Sequence, residues 1–549
     1  MQVAEAVGRA LGERGVRQVF GLIGSGNFAV SNALVAAGAA FVAARHENGA
    51  VVMADAYARV TGRTAACSLH QGPGLTNAIT GLTEAAKSRT PLLVLAADTA
   101  AAALRSNFRI DQAGLATSVG AVVDRLYGPE SAVADASRAL RRARLERRPV
   151  VLLMPLDVQS APCPEPEAPR PEAPALRPVR PSAASVQEVA DALASAARPL
   201  ILAGRGAVLA DAREPLERLA QQVGGLLATS AVAHGLFAGN PWALGISGGF
   251  ASPVAAELIA AADVVLGMGV ALTMWTTRHG RLLHPRATVV QVDVDPDAIG
   301  AHHRVDIGVV GDVAETARAL VDELAHRGTS RDAWRSLELA ERIRLGGWRD
   351  EPFEDASDGE RIDPRALSVG LDDLLPEQRT VAIDSGHFMG YPAMYLRVPD
   401  ESAFVFTQAF QAVGLGLASA IGAAVARPDR LTVAAVGDGG ALMALPEFET
   451  IARLGLRMVV VVYNDAAYGA EVHHFGPHGA PLNLVQFPDV DFAALGRAAG
   501  LDGVTVRARA DLALVGAWLS GGARRALVVD AKVVPTVVAE WLEEAFRGH

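Results

Sequence analysis

The chain alternates short runs of apolar residues with longer segments in which apolar residues recur at helical spacing. This alternation predicts β-α-β units, in which parallel strands form a sheet that is covered by helices. The clearest strand-length runs are Thr64–Leu69, Pro91–Ala97, Val264–Leu266, Leu431–Val436 and Arg457–Tyr463. We therefore predict an α/β protein that is built from doubly wound parallel sheets.

Two segments of unusual composition divide this pattern into three blocks. Residues 160–182 are dense in proline, and residues 346–363 are polar and acidic. Such segments favour extended chain and pack poorly, so they are typical of linkers. We predict three domains, at residues 1–160, 183–345 and 363–549. A chain of 549 residues is long enough for three separate cores.

The first and third blocks share a pattern. In each, a strand-like run leads to a glycine-containing turn, and a 16-residue segment (75–90 or 441–456) connects that turn to the next strand. The two blocks are either relatives or independent examples of a common unit. The middle block contains Gly204-Arg205-Gly206 but no GxGxxG, so it is predicted to be Rossmann-like without the fingerprint of a bound dinucleotide.

Charge and composition exclude several classes of protein. The net charge of −10 argues against a nucleic-acid partner, because phosphate binding requires a basic surface. The apolar runs are strand length, well short of the roughly 20 residues of a membrane helix. Two cysteines, Cys67 and Cys163, do not form a disulfide framework, and the first residues lack a secretory pattern. We expect a cytoplasmic protein that acts on small molecules.

Polar residues follow two predicted strands of the third block. Asp438 follows Leu431–Val436, and Asn464 follows Arg457–Tyr463. Both are expected at the carboxyl edge of the sheet, where ligands of such sheets bind, and their oxygens suit Mg²⁺. Glycines beside Asp438 would let the backbone approach a phosphate: Gly437, Gly439 and Gly440. Taken singly these features are a tight turn and a strand-end cap, but together they predict a site for Mg²⁺ and a diphosphate.

These motifs resemble the cofactor motif of the pyruvate decarboxylase/acetolactate synthase family, which uses thiamine diphosphate (ThDP). The family usually has two adjacent asparagines, whereas this chain has Asn464-Asp465. The resemblance implies that Mg²⁺ is bound by Asp438, Asn464 and the main-chain oxygen of Ala466. It also implies further residues of the cofactor site: His387, which resembles a residue that contacts the diphosphate, and the pair Tyr468 and Gly469.

Glu47 precedes a predicted helix that runs to about Arg59. A glutamate in a first helical turn is often only a favourable partner of the helix dipole. However, residues 45–62 (RHENGAVVMADAYARVTG) resemble the family segment that carries the essential glutamate. The resemblance implies that Glu47 bonds the pyrimidine nitrogen of ThDP and stabilises the tautomer that acts as a base. It also implies at least a homodimer, because the family places this glutamate and the metal site on different subunits; dimer and tetramer both remain open.

Residues 408–423 resemble the family segment that supports the bent cofactor. Val413 occupies the position of the apolar residue beneath ThDP, and Gln411 and Val413 would offer main-chain hydrogen bonds to the pyrimidine. For the middle block the resemblance leaves FAD, ADP and no nucleotide equally open.

The residues expected to face the substrate are assigned by weaker resemblances. Ser25 and His70 resemble a serine and a histidine of benzoylformate decarboxylase-like members, although Ser25 also suits a turn cap and His70 a bond to a backbone carbonyl. Gln112 lies where benzaldehyde lyase and acetolactate synthase carry an active-site glutamine. His473 and His474 are expected to line the pocket, where family acetolactate synthases tend to carry Gln-Trp.

The predicted activity is ThDP- and Mg²⁺-dependent decarboxylation of a 2-oxo acid, followed by ligation of the remaining fragment to a second carbonyl compound. The likeness to acetolactate synthase favours this carboligase reaction. The alternatives are a simple 2-oxo acid decarboxylase and a non-decarboxylating lyase or acyltransferase. A catalytically silent ThDP-binding subunit is disfavoured, because Glu47, Asp438 and Asn464 are all present.

Overall fold

The computed structural model describes residues 1–164, 176–332 and 334–547. In these residues the chain forms three six-stranded sheets, in which neighbouring strands run parallel. Successive strand residues face different cores: Leu93 and Leu95 belong to one hydrophobic cluster, and Val94 and Ala96 to another. Burial on both faces explains why the strands are continuous apolar runs. The predicted α/β class with doubly wound sheets is confirmed.

The first sheet lies in the N-terminal block. Its strands are β1 (Gln18–Gly21), β2 (Ala40–Ala43), β3 (Ala65–Leu69), β4 (Leu92–Asp98), β5 (Val122–Arg125) and β6 (Pro149–Pro155). Its helices are α1 (Val3–Glu13), α2 (Phe28–Ala36), α3 (Glu47–Thr61), α4 (Pro73–Asn77), α5 (Ile79–Lys87), α6 (Gln112–Ser118), α7 (Ala132–Glu146) and α8 (Leu156–Ser160). The strands lie side by side in the order β2-β1-β3-β4-β6-β5.

The second sheet lies in the middle block. Its strands are β7 (Pro199–Ala203), β8 (Leu226–Thr229), β9 (Ala243–Ile246), β10 (Val264–Met268), β11 (Thr288–Asp293) and β12 (Ile307–Val310). Its helices are α9 (Ala183–Ser195), α10 (Arg205–Leu209), α11 (Arg213–Val223), α12 (Pro253–Ala260), α13 (Met274–Thr277), α14 (Val313–His326) and α15 (Leu337–Leu345). The order β12-β11-β10-β7-β8-β9 is the Rossmann order, as predicted.

The third sheet lies in the C-terminal block. Its strands are β13 (Arg379–Ile383), β14 (Phe404–Phe406), β15 (Leu431–Gly437), β16 (Met458–Asn464), β17 (Asp502–Val506) and β18 (Leu527–Lys532). Its helices are α16 (Pro364–Leu374), α17 (Gly390–Tyr395), α18 (Gly416–Ala426), α19 (Asp438–Met443), α20 (Glu447–Leu454), α21 (Gly469–Phe475), α22 (Phe492–Ala498), α23 (Leu512–Ser520) and α24 (Trp541–Ala545). The strands lie in the order β14-β13-β15-β16-β18-β17.

The two outer sheets have the same topology. Numbered from the first strand of each block, both follow the order 2-1-3-4-6-5. The two connections also agree, because the chain between the paired strands forms two short helices in each block, α4 and α5 or α19 and α20. This agreement supports the interpretation that the outer blocks are relatives. They also share a core, in which Met53 of α3 and Ile421 of α18 belong to one hydrophobic cluster.

The predicted linkers differ in what the structure shows of them. Residues 165–175 of the first lie outside the described residues. The second, residues 346–363, is packed rather than loose, because Trp348 is buried and its indole nitrogen donates a hydrogen bond to the carbonyl of Phe250 at 2.7 Å. The predicted domain limits remain a proposal. In the described parts of the chain, no helix has both the length and the apolar character needed to cross a bilayer.

Candidate active site

Asp438 and Asn464 lie at the carboxyl ends of two adjacent strands. Asp438 is the first residue of α19, directly after β15, and Asn464 is the last residue of β16, which pairs with β15. The prediction that both reach the same edge of the sheet therefore agrees with the structure.

The Asn464 side chain is held in one orientation. Its amide nitrogen lies within hydrogen-bond distance of three acceptors: Asp530 Oδ1 at 3.0 Å, the Val490 carbonyl at 3.1 Å and Asp489 Oδ1 at 3.2 Å. Because all three are oxygens, they assign the NH₂ group to that side. The amide oxygen is thereby turned to the other side, where it accepts from the Ala466 backbone nitrogen at 3.2 Å.

Two carboxylates, Asp438 and Asp465, follow the ends of β15 and β16. Burial raises the pKa of Asp438 to about 6. Burial and the neighbouring charge of Asp438 raise the pKa of Asp465 to about 7. Two half-buried carboxylates, the charge of one of which disfavours ionisation of the other, are an electrostatic setting that a divalent cation relieves.

Ala466 has a left-handed backbone, with φ of +58°. This conformation is unusual for a residue with a side chain and marks a constrained turn. Its carbonyl oxygen accepts a hydrogen bond from the Phe487 nitrogen at 2.8 Å, which leaves one lone pair free for a cation.

The glycines of the predicted diphosphate site have different neighbours. A side chain at Gly440 would collide with the Asp384 carboxylate, and one at Gly469 with the Asp465 carboxylate. Gly437 lies against the Phe388 ring, whereas Gly439 lines the large groove of this site and faces Tyr468. Gly437 and Gly440 are therefore required by the packing of the protein itself.

His387 is buried behind the Asn464 loop. Its Nε2 accepts a hydrogen bond from the Ala539 nitrogen at 2.9 Å, so the neutral ring carries its proton on Nδ1. Burial lowers the pKa of His387 to about 3, which keeps the ring neutral. A neutral Nδ1–H group is a donor that suits a phosphate oxygen.

Residues 407–415 connect β14 to α18 and line the groove through Gln408, Ala409, Gln411 and Val413. The Asp384 carboxylate anchors one end by accepting from the nitrogens of Gly414 and Leu415 at 3.0 and 3.1 Å. Gln411 has a φ of +60°, and Val413 is exposed. An exposed apolar residue on a fixed turn is consistent with a support for a bound ring.

Glu47 is the first residue of α3 and is only 8% exposed. Its Oε2 accepts from the Asn77 side-chain nitrogen at 3.0 Å. His70 lies close enough for the charge of Glu47 to act on it, and burial lowers the pKa of this histidine. Because His70 Nδ1 accepts from the Gly26 nitrogen at 3.2 Å, its proton is on Nε2. Ser25, beside Gly26, is exposed.

Gln112 is turned into the protein. Its oxygen accepts from the Gly72 nitrogen at 2.8 Å, and its nitrogen donates to the Ala97 carbonyl and to Asp98. The side chain is 2% exposed, so in this structure it positions the Gly72 turn rather than facing a substrate.

The two histidines of α21 face different neighbours. The His473 ring lies 4.3 Å from that of His387, and its buried Nε2 has no hydrogen-bond partner among the described residues. The His474 ring stacks on Phe546 at 3.9 Å. Neither histidine lines the groove itself, which passes along Tyr468, Gly469 and the two residues that follow.

The groove has a volume of about 2130 Å³ and runs from the Asp465 loop to the middle block. Seven of the predicted residues line it: His387, Gln411, Val413, Gly439, Gly440, Tyr468 and Gly469. Asp438, Asn464 and Ala466 do not line it, although their neighbours in the chain, Gly439, Asp465 and Ala467, do. Glu47, Ser25, His70 and Gln112 do not line it. Within one chain, the predicted site is therefore divided into two separate halves.

Comparison with known families agrees with this division. Residues 1–116 match the thiamine pyrophosphate enzyme N-terminal TPP binding domain, residues 186–320 the central domain, and residues 384–529 the C-terminal TPP binding domain. Thiamine pyrophosphate is another name for ThDP. The chain belongs to the thiamine pyrophosphate enzymes. The predicted family and the prediction of an enzyme are confirmed.

Named relatives of this ThDP enzyme cover several reactions. The chain is 29% identical to a sulfoacetaldehyde acetyltransferase of Castellaniella defragrans, over 92% of this chain and 88% of the relative. It is 30% identical to a probable 2-ketoarginine decarboxylase of Pseudomonas aeruginosa, over 91% and 88%. It is 27% identical to a probable acetolactate synthase large subunit of Methanocaldococcus jannaschii, over 89% and 85%.

A solved structure supports the fold. The ThDP-dependent 4-hydroxybenzoylformate decarboxylase of Rhodococcus jostii superposes with a TM-score of 0.82 and 21% identity, over 98% of this chain and all of that chain. At this identity the likeness shows the three-domain fold of a ThDP enzyme.

The structure adds residues around the predicted site that the sequence pattern did not reveal. Asp384 holds the turn at residues 407–415, and Asp530 helps to orient Asn464. Glu447 of α20 accepts from the nitrogens of Arg45 and His46 and fixes the start of α3, on which Glu47 lies. For Asp384 a signal existed, because it directly follows a strand, as Asp438 does.

Proposed function

We propose that this ThDP enzyme is a Mg²⁺-dependent carboligase. It removes CO₂ from a 2-oxo acid and joins the remaining fragment to a second carbonyl compound. The observation that carries the proposal is the set of oxygens at the ends of β15 and β16. There the Asn464 amide oxygen accepts from the nitrogen of the left-handed residue Ala466, and Asp438 begins the helix after the strand that pairs with β16.

These residues suit ThDP and Mg²⁺. Asp438, Asn464 and the Ala466 carbonyl would hold the cation, and His387 would donate from Nδ1 to the diphosphate. Gln411 and Val413 would bind and support the pyrimidine ring. When bound, ThDP supplies a nucleophilic carbon and an electron sink for cleaving or forming a bond next to a carbonyl group.

The second half of the site would come from another copy of the chain. Glu47, Ser25 and His70 lie together but outside the groove. Exposed apolar side chains surround each half: Ile23, Phe28 and Phe108 on one, and Phe410, Leu442, Met443 and Tyr468 on the other. Burial of such patches favours association, so we propose a homodimer, or a tetramer built from it.

Within this arrangement each side chain has a defined task. Glu47 of the second copy holds a proton at the pyrimidine ring from a largely water-free position. His70 holds or moves a proton at Nε2, and Ser25 donates its hydroxyl hydrogen to a substrate carboxylate. The ring of His473 lies against that of His387, and its Nε2 finds no partner in the part of the chain that the structure describes.

Ligation is favoured over simple decarboxylation by the relatives whose name is acetolactate synthase. A second candidate is acyl transfer. It is favoured by the relatives whose name is sulfoacetaldehyde acetyltransferase.

The test is to supply purified protein with aliphatic and aromatic 2-oxo acids, with ThDP and Mg²⁺ present or withheld, and to measure CO₂ and organic products. Cofactor-dependent CO₂ release with a condensed product is the expected result. An aldehyde as the only product would make the enzyme a simple decarboxylase. Binding of ThDP without CO₂ release from any acid would favour acyl transfer.

A further inference from the structure

Residues 407–413 belong to the segment that connects β14 to α18 and would support the cofactor. The N-terminal block holds the middle of these residues. Glu84 of α5 accepts hydrogen bonds from the backbone nitrogens of Ala409, at 3.2 Å, and Phe410, at 2.7 Å. Glu84 is fully buried, and more than 300 residues of chain separate it from the segment it holds. We propose that Glu84, together with Arg59, is a positioning residue that fixes this segment for ThDP.

Arg59, in the last turn of α3, connects Glu84 to the strand before the segment. Its Nη2 donates to Glu84 at 2.8 Å and to the Ser88 hydroxyl at 2.6 Å, and Asp55 forms an ion pair with it. Its Nη1 donates to the Phe406 carbonyl at 3.0 Å. One guanidinium group therefore joins α3, α5 and the end of β14.

Glu84 stays ionised beside the charged Arg59, although it is buried. Burial by itself would raise the pKa of Glu84, but the charge and hydrogen bond of Arg59 and the amides of Phe410 and Ala409 hold that pKa below its usual range. An ionised carboxylate accepts stronger hydrogen bonds than a neutral group. Glu84 thus acts as a charged anchor for two consecutive amides.

The geometry has a consequence that depends on the proposed function. Glu47 is the first residue of α3 and Arg59 lies in its last turn, roughly 18 Å away at 1.5 Å per residue. If Glu47 completes the site of the second copy, each N-terminal block serves both sites. It supplies Glu47 to one site and fixes residues 407–413 of the other.

The first experiment replaces Glu84 by Gln. A glutamine has a single acceptor oxygen, so it cannot satisfy Arg59 and both amides together. Hydrogen exchange of the full-length protein without cofactor should become about tenfold faster at residues 409 and 410, and the Kd for ThDP with Mg²⁺ should rise about tenfold. Unchanged exchange and unchanged affinity would overturn the proposal.

A matched control is Asp372→Asn, which also removes a buried, arginine-paired carboxylate, but from the last turn of α16, where Asp372 pairs with Arg379 of β13. It should leave exchange at 409 and 410 unchanged; equal acceleration there would overturn the proposal by showing general loosening. If Glu84→Gln does not fold, Arg59→Lys keeps the positive charge and should give the same local acceleration. Failure of the wild-type protein to bind ThDP would contradict the proposed function, whereas exchange alone still tests the Glu84 anchor.

The second experiment uses mixed dimers purified through two different tags, assayed at limiting ThDP. With Glu47→Gln in one copy and Glu84→Gln in the other, both changes fall on the same site and one intact site remains, so about half of the activity should persist. With both changes in one copy, each site carries one change, and activity should fall well below half. If the dimer with both changes in one copy kept about half of the activity, and the dimer with one change in each copy fell well below half, Glu84 would not act on the site of its own copy.

Discussion

The amide nitrogen of Asn464 donates to the carboxylate of Asp530 on the neighbouring strand, at 3.0 Å. Asp530 is fully buried, and its second oxygen accepts from the Phe492 nitrogen at 3.0 Å. Because Asp530 can only accept, it acts with Asp489 and the Val490 carbonyl to hold the NH₂ end of the Asn464 amide on their side. The orientation of the proposed cation ligand therefore depends on a residue that does not touch the cation.

Replacing Asp530 by Asn should weaken Mg²⁺-dependent ThDP binding. The new side chain has one acceptor oxygen in place of the two that now serve Asn464, Phe492 and Lys532, so the orientation of Asn464 is held less firmly. Loss of a group that orients a metal ligand typically lowers metal affinity by about 10–100-fold. Titration of Mg²⁺ at fixed ThDP measures this change, with Asp372→Asn as the control for loss of a buried carboxylate. Equal Mg²⁺ affinity in Asp530→Asn and wild type would contradict the orienting role.

Replacing Asp465 by Asn should stabilise the metal-free protein at high pH. The pKa of Asp465 in the folded chain, about 7, is above its unfolded value, so the folded state binds the proton more tightly. Its ionisation therefore costs stability as pH rises from about 4 to 8. We expect Asp465→Asn to raise the free energy of unfolding by about 2 kcal/mol at pH 8 and to have little effect at pH 4. Urea unfolding at both pH values tests this; an equal effect at the two would contradict it.

Replacing Glu47 by Gln should abolish turnover while leaving the fold and ThDP binding intact. The amide keeps the shape of the side chain but cannot hold a proton as a carboxyl group does, and loss of such a group typically lowers the rate by about 10²–10⁴-fold. Steady-state turnover and ThDP titration should be measured on the same sample. A Glu47→Gln enzyme with wild-type turnover would contradict the assigned role.

His473 and His474 form a natural pair of test and control. Burial lowers the pKa of His473, and its Nε2 lacks a partner among the described residues, which costs stability. We expect His473→Phe to raise the free energy of unfolding by about 1 kcal/mol and to reduce turnover. His474→Phe keeps the stacking on Phe546 and should change neither. Wild-type turnover in His473→Phe would contradict an effect of His473 on the reaction through His387.

The sequence predicted those parts of the structure that depend on local pattern. Strands such as β3 and β16 were found because both of their faces are buried, which gives continuous apolar runs. Asp438 and Asn464 were found because parallel strands end at one edge, so a polar residue at each end predicts a shared site.

The remaining features depend on contacts between distant segments. Asp530 lies inside an apolar run, and its role depends on β18 lying next to β16, which no local pattern reveals. Glu84 reaches the segment of Ala409 only because the two outer blocks share a core. Gln112 was assigned to the substrate side by likeness alone, whereas its hydrogen bonds are made within the protein.

The central claim is that Asp438, Asn464 and Ala466 bind Mg²⁺ and with it the diphosphate of ThDP. Calorimetric titration of the metal-free protein with ThDP tests this most directly, in Mg²⁺ and then in a chelator. We predict one ThDP bound per chain in Mg²⁺, with binding lost in the chelator and in Asn464→Ala. Equal binding with and without Mg²⁺, or no binding under any condition, would contradict the account.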